Sequence, residues 1–478
     1  SGSGEAYGGL IEEYADFYDY HFYSEPHFFP LMVERFLPQW RTTQPWLFGE
    51  YADYDTLRLP MDPDADTTPW WGQASRAVNP QGARWQMDVP HHYQRALRQG
   101  LRDQLPAWRQ LSHAHGALIR QMMLEQTRLY PHVSGYVVTG ERDTPISTAG
   151  VLDDAGVPKF AATRWRQWND DMVVLLAWDR QREWVHGGDR PAYCETHCYM
   201  GGQVLRTHVV LANHTAHAGT AQFKWALTNE QMGTTVARGE GTTRTPVAAG
   251  GVSGIHMLDI QLPQVAHPCE LHLTVQVTLA DVVAQNSWEC YLFPSVMWME
   301  PEALACYDPR GEANPLPEWI VPIADFRRSK GVVLAMQWDE QVAAYVREGG
   351  RVVLVCTNPQ QAAPVVLQTA PFWREAVRVV TDHPAWGNFP HHGWAGRQFT
   401  NMATDVVIAD NHLPLLRRLD TRTMEATAYA VEMELGRGHL LVTTLRVGGG
   451  AGTQPRGMAA NPAAQHMLAQ WVQYMLHM

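Results

Sequence analysis

The run Gln44-Pro45-Trp46-Leu47-Phe48-Gly49-Glu50-Tyr51 decides how the rest of the chain is read. Trp46 to Gly49 has the character of a short buried strand, preceded by proline and ending on a carboxylate where a strand would empty into a loop. In a (β/α)8 barrel, chemistry is placed at the C-terminal end of a strand. A glutamate there, with Trp46 and Tyr51 close by, suits work at an anomeric centre. The carboxylate attacks or protonates while aromatic faces hold the sugar. The plain alternative is that Glu50 caps the following loop or pairs with an arginine.

Working outward, residues 14–23 (YADFYDYHFY) are aromatic and weakly alternating, which suits a strand, and period two leaves Asp19, His21 and Tyr23 on one face. Between Pro26 and Pro38, Phe28, Met32 and Phe36 recur at helical spacing. A long irregular loop is expected from Tyr51 to about Pro90, carrying Trp70, Trp71 and Trp85. Loops of that length commonly serve as lids or binding walls. A helix is expected over 107–130, with Trp108, Leu111, Leu118, Met122 and Leu129 near one face. Val133 to Val138 reads as a strand opening into Thr139-Gly140-Glu141-Arg142-Asp143, followed by a short helix near Trp165–Trp168. Residues 1–170 thus read as a β/α repeat with polar residues at the strand exits.

The texture then changes. Over 171–300, Leu271, Leu273, Val275, Val277 and Leu279 alternate with polar residues, and Leu205, Thr207, Val209 and Leu211 form a similar ladder, so an antiparallel β-sandwich is expected. Within it, Cys194-Glu195-Thr196-His197-Cys198 holds ligand residue types. Alternation would point the two cysteines one way and His197 the other, and no second pair lies at zinc-site spacing, so no metal is expected. Residues 301–322 read as a proline-rich linker. Residues 323–478 open with a strand–helix–strand unit, hence a parallel sheet, and are expected to form a flavodoxin-like α/β domain. His391-His392-Gly393-Trp394 reads as a packing loop. Cys356 follows a buried strand but lacks the glycine-flanked elbow of a nucleophile, and no phosphate-binding glycine fingerprint is present; no cofactor is expected.

A chain of 478 residues exceeds one ordinary domain. Its formal net charge of -12 argues against nucleic acid or anionic membrane as a partner, and no apolar run reaches the length of a membrane span. Six cysteines without a dense framework fit reduced thiols, favouring a bacterial cytoplasm. The opening Ser1-Gly2-Ser3-Gly4-Glu5 has no signal-peptide character and reads like the interior of a longer protein.

Several stretches together resemble a glycoside hydrolase of the family 2 type. They are DFYDYHFY (16–23), PWLFGEYADYDTLR (45–58), VSGYVVTGERDTPISTAGVLDDAGVPKF (133–160), NSWECYLFP (286–294) and PFWREA (371–376). The resemblance implies that residues 14–23, 45–50 and 133–139 are strands six, seven and eight of a barrel, with Glu50 as the nucleophile of a retaining β-glycosidase. It also implies an Asn-Glu pair at the end of strand four, whose glutamate is the acid/base. This pair would lie upstream of Ser1; Asn229-Glu230 falls inside the sandwich region and is discounted. Within the barrel part the candidates for the second carboxyl are Asp19, Asp53, Glu141 and Asp143. Tyr23 or His21 is expected to hydrogen-bond the nucleophile, and Arg142 to support it electrostatically. Trp70, Trp71 and Trp85 are candidates for sugar stacking, so the candidate substrate-binding set is Asp19, His21, Tyr23, Trp46, Trp70, Trp71, Arg142 and Asp143. The expected partners are a carbohydrate and the missing barrel half, as a separate or nicked chain or within a homo-oligomer. A non-catalytic carbohydrate-binding or structural subunit is the competing expectation, and an amidotransferase-like third domain the weakest.

Overall fold

The computed structural model describes residues 16–36, 45–73, 89–179, 181–295, 303–323, 325–329, 331–410 and 412–478. The first part runs β1 (Tyr18–Phe22), α1 (Phe29–Phe36), β2 (Trp46–Tyr51), α2 (Val89–Arg98), α3 (Leu105–Arg128), β3 (Val133–Val138) and α4 (Ala162–Trp168). The three strands form one parallel sheet in the order β1-β2-β3. Parallel neighbours need long crossovers, and α1 and α3 supply them. One face of the sheet is an aromatic cluster in which Phe22 meets Phe48 edge-on at 4.7 Å and Trp46 meets Phe48 at 5.5 Å. Phe29 and Val33 of α1, and Ala117, Ile119, Met123 and Leu124 of α3, close over that cluster.

Two local readings shift. The inward stripe of α1 is Phe29 and Val33, while Phe28 is 40% exposed, so the apolar face lies one residue later than the spacing suggests. Helix α2 stands between the long loop and α3 and overlaps the end of the stretch that the sequence suggests is loop. Helix α3 is buried on more than one side because it sits between this sheet and the third part of the chain. Its Ser112 hydroxyl donates to the Ala376 carbonyl at 2.6 Å.

The second part contains β4 (Met172–Ala177), β5 (Gln181–Val185), β6 (Gly188–Ala192), β7 (Cys198–Met200), β8 (Val204–Asn213), β9 (Ala221–Asn229), β10 (Thr234–Thr242), β11 (Gly251–Gln261), β12 (Cys269–Leu279) and β13 (Val282–Phe293). They form a five-stranded sheet, β10-β9-β12-β13-β7, a three-stranded sheet, β11-β8-β4, and the β5–β6 ribbon. Leu271, Leu273, Val275, Val277 and Leu279 from one sheet share a buried cluster with Leu205, Val209 and Leu211 from the other. Strict alternation fails at 194–198. The Glu195 carboxylate accepts from the backbone N–H groups of Thr196, His197 and Cys198, turning the chain before β7, so Cys194 is exposed and Cys198 buried.

The third part holds β14 (Leu304–Tyr307), β15 (Val321–Pro322), β16 (Val332–Ala335), α5 (Glu340–Arg347), β17 (Arg351–Val355), β18 (Leu367–Thr369), β19 (Glu375–Val380), β20 (Val406–Ile408), β21 (Leu413–Asp420), β22 (Ala426–Leu435), β23 (Gly438–Thr443) and α6 (Pro462–Leu476). One ten-stranded sheet runs β15-β14-β16-β17-β23-β22-β20-β18, with β21 bridging β22 to β19. Within the stretch read as a linker, Leu304–Tyr307 is thus a paired strand, parallel to β16. The flavodoxin-like expectation needs correction as well. Only the neighbours β15, β14, β16, β17 and β23 are mutually parallel, and from β22 onward the sheet is antiparallel. The cause is the two-residue turn Gly436-Arg437, with Gly436 at φ 65°, which folds β22 straight back onto β23 and leaves no crossover. The whole is a mixed, sheet-rich architecture.

The third part abuts the loops that leave all three strands of the first. Thr453 N–H donates to the His27 carbonyl beyond β1 at 2.7 Å. Arg422 Nε donates to Asp55 beyond β2 at 2.9 Å, and the Thr421 hydroxyl to the Thr56 carbonyl at 3.0 Å. Thr421 also lies beside Thr148, beyond β3.

Candidate functional site

Glu50 reaches its position through a bulge. In the β1–β2 pair Asp19 faces Leu47, but His21 faces Glu50, so β2 spends one residue more than β1 over the same distance. An extra residue reverses the alternation of side chains beyond it. Glu50 therefore leaves the aromatic side and joins His21 on the opposite face. The bulge is held by Asp19, whose Oδ1 accepts the Gly49 N–H at 2.8 Å. Glycine is required there, because a Cβ at position 49 would overlap the Asp19 carboxylate.

On that face four side chains converge. The Tyr23 hydroxyl donates to Glu50 Oε2 at 2.7 Å. His21 Nδ1 lies 3.2 Å from the same oxygen, and its Nε2 lies 3.4 Å from Asp19 Oδ2. Burial, then the hydrogen bond and charge of Glu50, push the Tyr23 phenol far above its ordinary value, so it is a donor at any working pH. The Glu50 side chain is 50% exposed, and its Oε1 carries no hydrogen bond among the described residues. Just past Tyr51 the chain turns at Ala52, which sits at φ 57°. A non-glycine residue in that left-handed region costs roughly 1–2 kcal/mol.

Beyond the exits of β2 and β3 lies a buried polar cluster. The Asp53 carboxyl is pushed up to about 6 by burial and then by the charge of Asp55. Arg120 is fully buried in α3; one of its terminal nitrogens donates to the Ala149 carbonyl, while Nε and Nη1 have no hydrogen-bond partner among the described residues. Lys159 donates to Asp143 at 2.6 Å and to Thr56 Oγ1 and the Thr148 carbonyl, each at 2.7 Å. Desolvation outweighs this ion pair at both ends: burial lowers Lys159 to about 8 and raises Asp143.

Asp19, His21, Tyr23 and Glu50 are therefore brought together. Trp46 is not among them. At 2% exposure it packs between Tyr20, Phe22 and Phe48 on the far side of the sheet, because positions 46 and 48 precede the bulge and face the helices. Arg142 is exposed and donates to the Asp154 carbonyl, so it gives Glu50 no hydrogen bond or ion pair. Asp143 is taken up by Lys159 and by the Gly150 N–H at 2.9 Å. Trp71 has the Arg58 guanidinium 4.9 Å from its ring centre, and Trp70 is 54% exposed. Trp85 lies outside the described residues. In the third part, burial pushes the Cys356 thiol up to about 12, which keeps it an inert thiol. Sequence reasoning missed Lys159 and Arg120. The one signal for Arg120 was a charge inside the apolar stretch Gly116-Ala117-Leu118-Ile119 to Met123.

Residues 203–294 match a family described as Domain of unknown function (DUF8488), and residues 333–477 one described as Domain of unknown function (DUF8487). No curated protein matches the chain. Among solved structures, a glycosyl hydrolase family 2 member from Bacteroides cellulosilyticus DSM 14838 is similar over 20% of this chain and 14% of its own, at 19% identity and a TM-score of 0.16. Bacteroides uniformis beta-glucuronidase 2 is similar over 63% of this chain and 28% of its own, at 12% identity and a TM-score of 0.22. The Pseudomonas fluorescens alkylpurine DNA glycosylase AlkC is similar over 28% of this chain and 33% of its own, at 12% identity and a TM-score of 0.18. The chain thus spans a third or less of each of these proteins, and likeness at such scores supports no statement about chemistry. Glycosidases, including the family 2 type, stand among its structural neighbours at low identity.

Proposed function

We propose that the chain carries the nucleophile side of a retaining glycosidase acting on a β-linked glycoside, with Glu50 as nucleophile. The observation that carries the reading is the bulge at Gly49, which turns Glu50 onto the face of His21 and Tyr23 at the exit of a parallel strand. On this reading β1, β2 and β3 are strands six to eight of a (β/α)8 barrel, and the two facing sheets of the second part are a β-sandwich. Glu50 Oε1 attacks the anomeric carbon while Tyr23 and His21 hold Oε2, and the leaving oxygen takes its proton from an acid/base group. The glycosyl ester is then hydrolysed by water activated by that same group. The acid/base is supplied by polypeptide completing the barrel: an upstream segment, a separate or nicked chain, or a second copy. Two features support a completing partner: among the described residues, β1 and β3 each have a free edge, and Val137 of β3 is 60% exposed.

A 2-deoxy-2-fluoro glycoside tests this directly. With the completed barrel present, covalent mass is expected on the peptide containing Glu50 and absent in Glu50→Gln. Labelling of any other residue overturns the assignment. Sugar binding without turnover or label would favour the alternative, a non-catalytic carbohydrate-binding subunit.

A further inference from the structure

A cavity of about 280 Å³ opens where α3, α4, the β12–β13 pair and residues 394–397 meet, so all three parts of the chain wall it. Two guanidiniums, Arg164 and Arg397, line it together with the Glu289 carboxylate, His272, Trp288 and Trp394. An arginine offers five N–H donors in a planar fork, and a buried one normally spends most of them. Arg397 is only 6% exposed, yet its single hydrogen-bond partner among the described residues is His197 Nε2, at 3.1 Å from Nη1. Its Nε is buried without a partner. Arg164 makes no side-chain hydrogen bond to any described residue and meets Glu289 only through its charge. The half-buried Glu125 balances part of the Arg397 charge, but its own oxygens are taken by Trp288, Asn286 and Gln121.

Unused forked donors at this junction match the planar oxyanion of a carboxylate, bound through two parallel N–H···O bonds. Glu289, an acceptor on the same wall, matches a hydroxyl donor beside it, and the two tryptophans offer apolar faces. The volume lies at the small end of ligand pockets and admits one compact molecule rather than an oligosaccharide. We propose that this junction is a binding site for a small hydroxylated oxyanion, a hydroxy-carboxylate in the first instance, held by Arg164 and Arg397 with its hydroxyls toward Glu289. The site is separate from Glu50 and does not depend on the glycosidase reading. Because it binds the assembled parts only, its ligand stabilises their packing by mass action.

Isothermal titration of the protein with sodium gluconate, inorganic phosphate and neutral glucose tests it. Gluconate is expected to saturate one site per chain, glucose to give no saturable heat, and Arg164→Gln to weaken gluconate by roughly tenfold or more. Phosphate binding tighter than gluconate, with the same sensitivity to Arg164→Gln, also supports the oxyanion site and assigns its anion to a phosphate. Should the variant fold poorly, crystals of the unaltered protein soaked in gluconate are expected to show the carboxylate between the two guanidiniums. The proposal is overturned if neither anion binds, if glucose binds as tightly, if folded Arg164→Gln binds unchanged, or if the soaked cavity holds water alone.

Discussion

Tyr23 donates its hydroxyl hydrogen to Oε2 of Glu50 at 2.7 Å, joining the exits of β1 and β2. The bond exists because the Gly49 bulge carries Glu50 across the sheet; without it, alternation would leave the carboxylate against Trp46 and Phe48. Since the phenol is pushed far above its ordinary range, the donor does not titrate away in alkaline solution. A hydrogen bond to a charged acceptor contributes about 1.5–3 kcal/mol, and partial exposure puts this one at the lower end. On the glycosidase reading, and with the completed barrel present, Tyr23→Phe is therefore expected to lower kcat/KM by about tenfold while leaving the fold intact. An unchanged kcat/KM would remove Tyr23 from the site.

Gly49→Ala tests the bulge itself. The new methyl would overlap the Asp19 carboxylate, and relief requires Asp19 to give up the Gly49 N–H. Overpacking of this kind costs about 1–3 kcal/mol. Urea denaturation of Gly49→Ala, Asp19→Ala and the double variant should show strong coupling, with Asp19→Ala removing most of the penalty of the alanine. Additive effects would mean that the two residues do not oppose one another.

The grouping of Asp19, His21 and Tyr23 is legible in the sequence because the intervening Tyr18, Tyr20 and Phe22 are apolar, and period two sorts them without help. The same rule applied to β2 would have excluded Trp46, since Phe48, two residues on, is plainly a core residue. What the rule could not supply is the bulge, which depends on a hydrogen bond between residues 30 apart. Lys159 was invisible for a similar reason: its partner Thr56 is 103 residues away. In the third part the strand–helix–strand unit is local and legible, whereas β18, β19 and β20 are joined through irregular segments whose pairing no short window records. Beyond the Glu50 strand, then, the sequence carries the apolar periodicities but not the long-range polar contacts.

Asp53 makes a pH-dependent prediction. Its carboxyl is raised to about 6, first by burial, whereas in the unfolded chain it keeps its ordinary 3.8. Between those values the folded state binds more protons than the unfolded one, so stability contributed by this group falls as pH rises from about 4 to about 6. The gap corresponds to an upper limit of about 3 kcal/mol at neutral pH. Asp53→Asn is expected to raise the urea midpoint at pH 7 and to leave it nearly unchanged at a pH of about 3.5, below the ordinary carboxylate value. Equal midpoints at both pH values would show that the carboxyl is not strained by its surroundings.

Trp70 and Trp71 are adjacent yet differ in what they touch. Arg58, itself bound to Asp154 at 2.8 Å, lies over Trp71, while Trp70 is more than half exposed. If the exposed ring stacks on a sugar, Trp70→Ala raises KM or the sugar Kd by about tenfold. Trp71→Ala should instead lower Tm, because a cation–π contact of about 0.5–2 kcal/mol and the ring's packing are lost. Reversal of the two outcomes would exchange their roles.

The pairing of Arg422 with Asp55 carries the contact between the third part and the loop beyond β2. Asp55 is 2% exposed, and besides Arg422 Nε at 2.9 Å its carboxylate accepts the Thr148 N–H at 2.7 Å. Breaking one side of a buried pair leaves the other charge uncompensated and costs about 3–5 kcal/mol, whereas replacing both with apolar residues costs much less. Arg422→Ala is therefore expected to lower the calorimetric Tm by several degrees, and Arg422→Met with Asp55→Leu to recover a large share of it. The Thr148 N–H sets the limit of that recovery, since the double variant strands it without an acceptor. A single variant that melts with the parent protein would mean that the third part does not depend on this pair to sit against the strand exits, and that the Thr421 and Thr453 contacts hold it there instead.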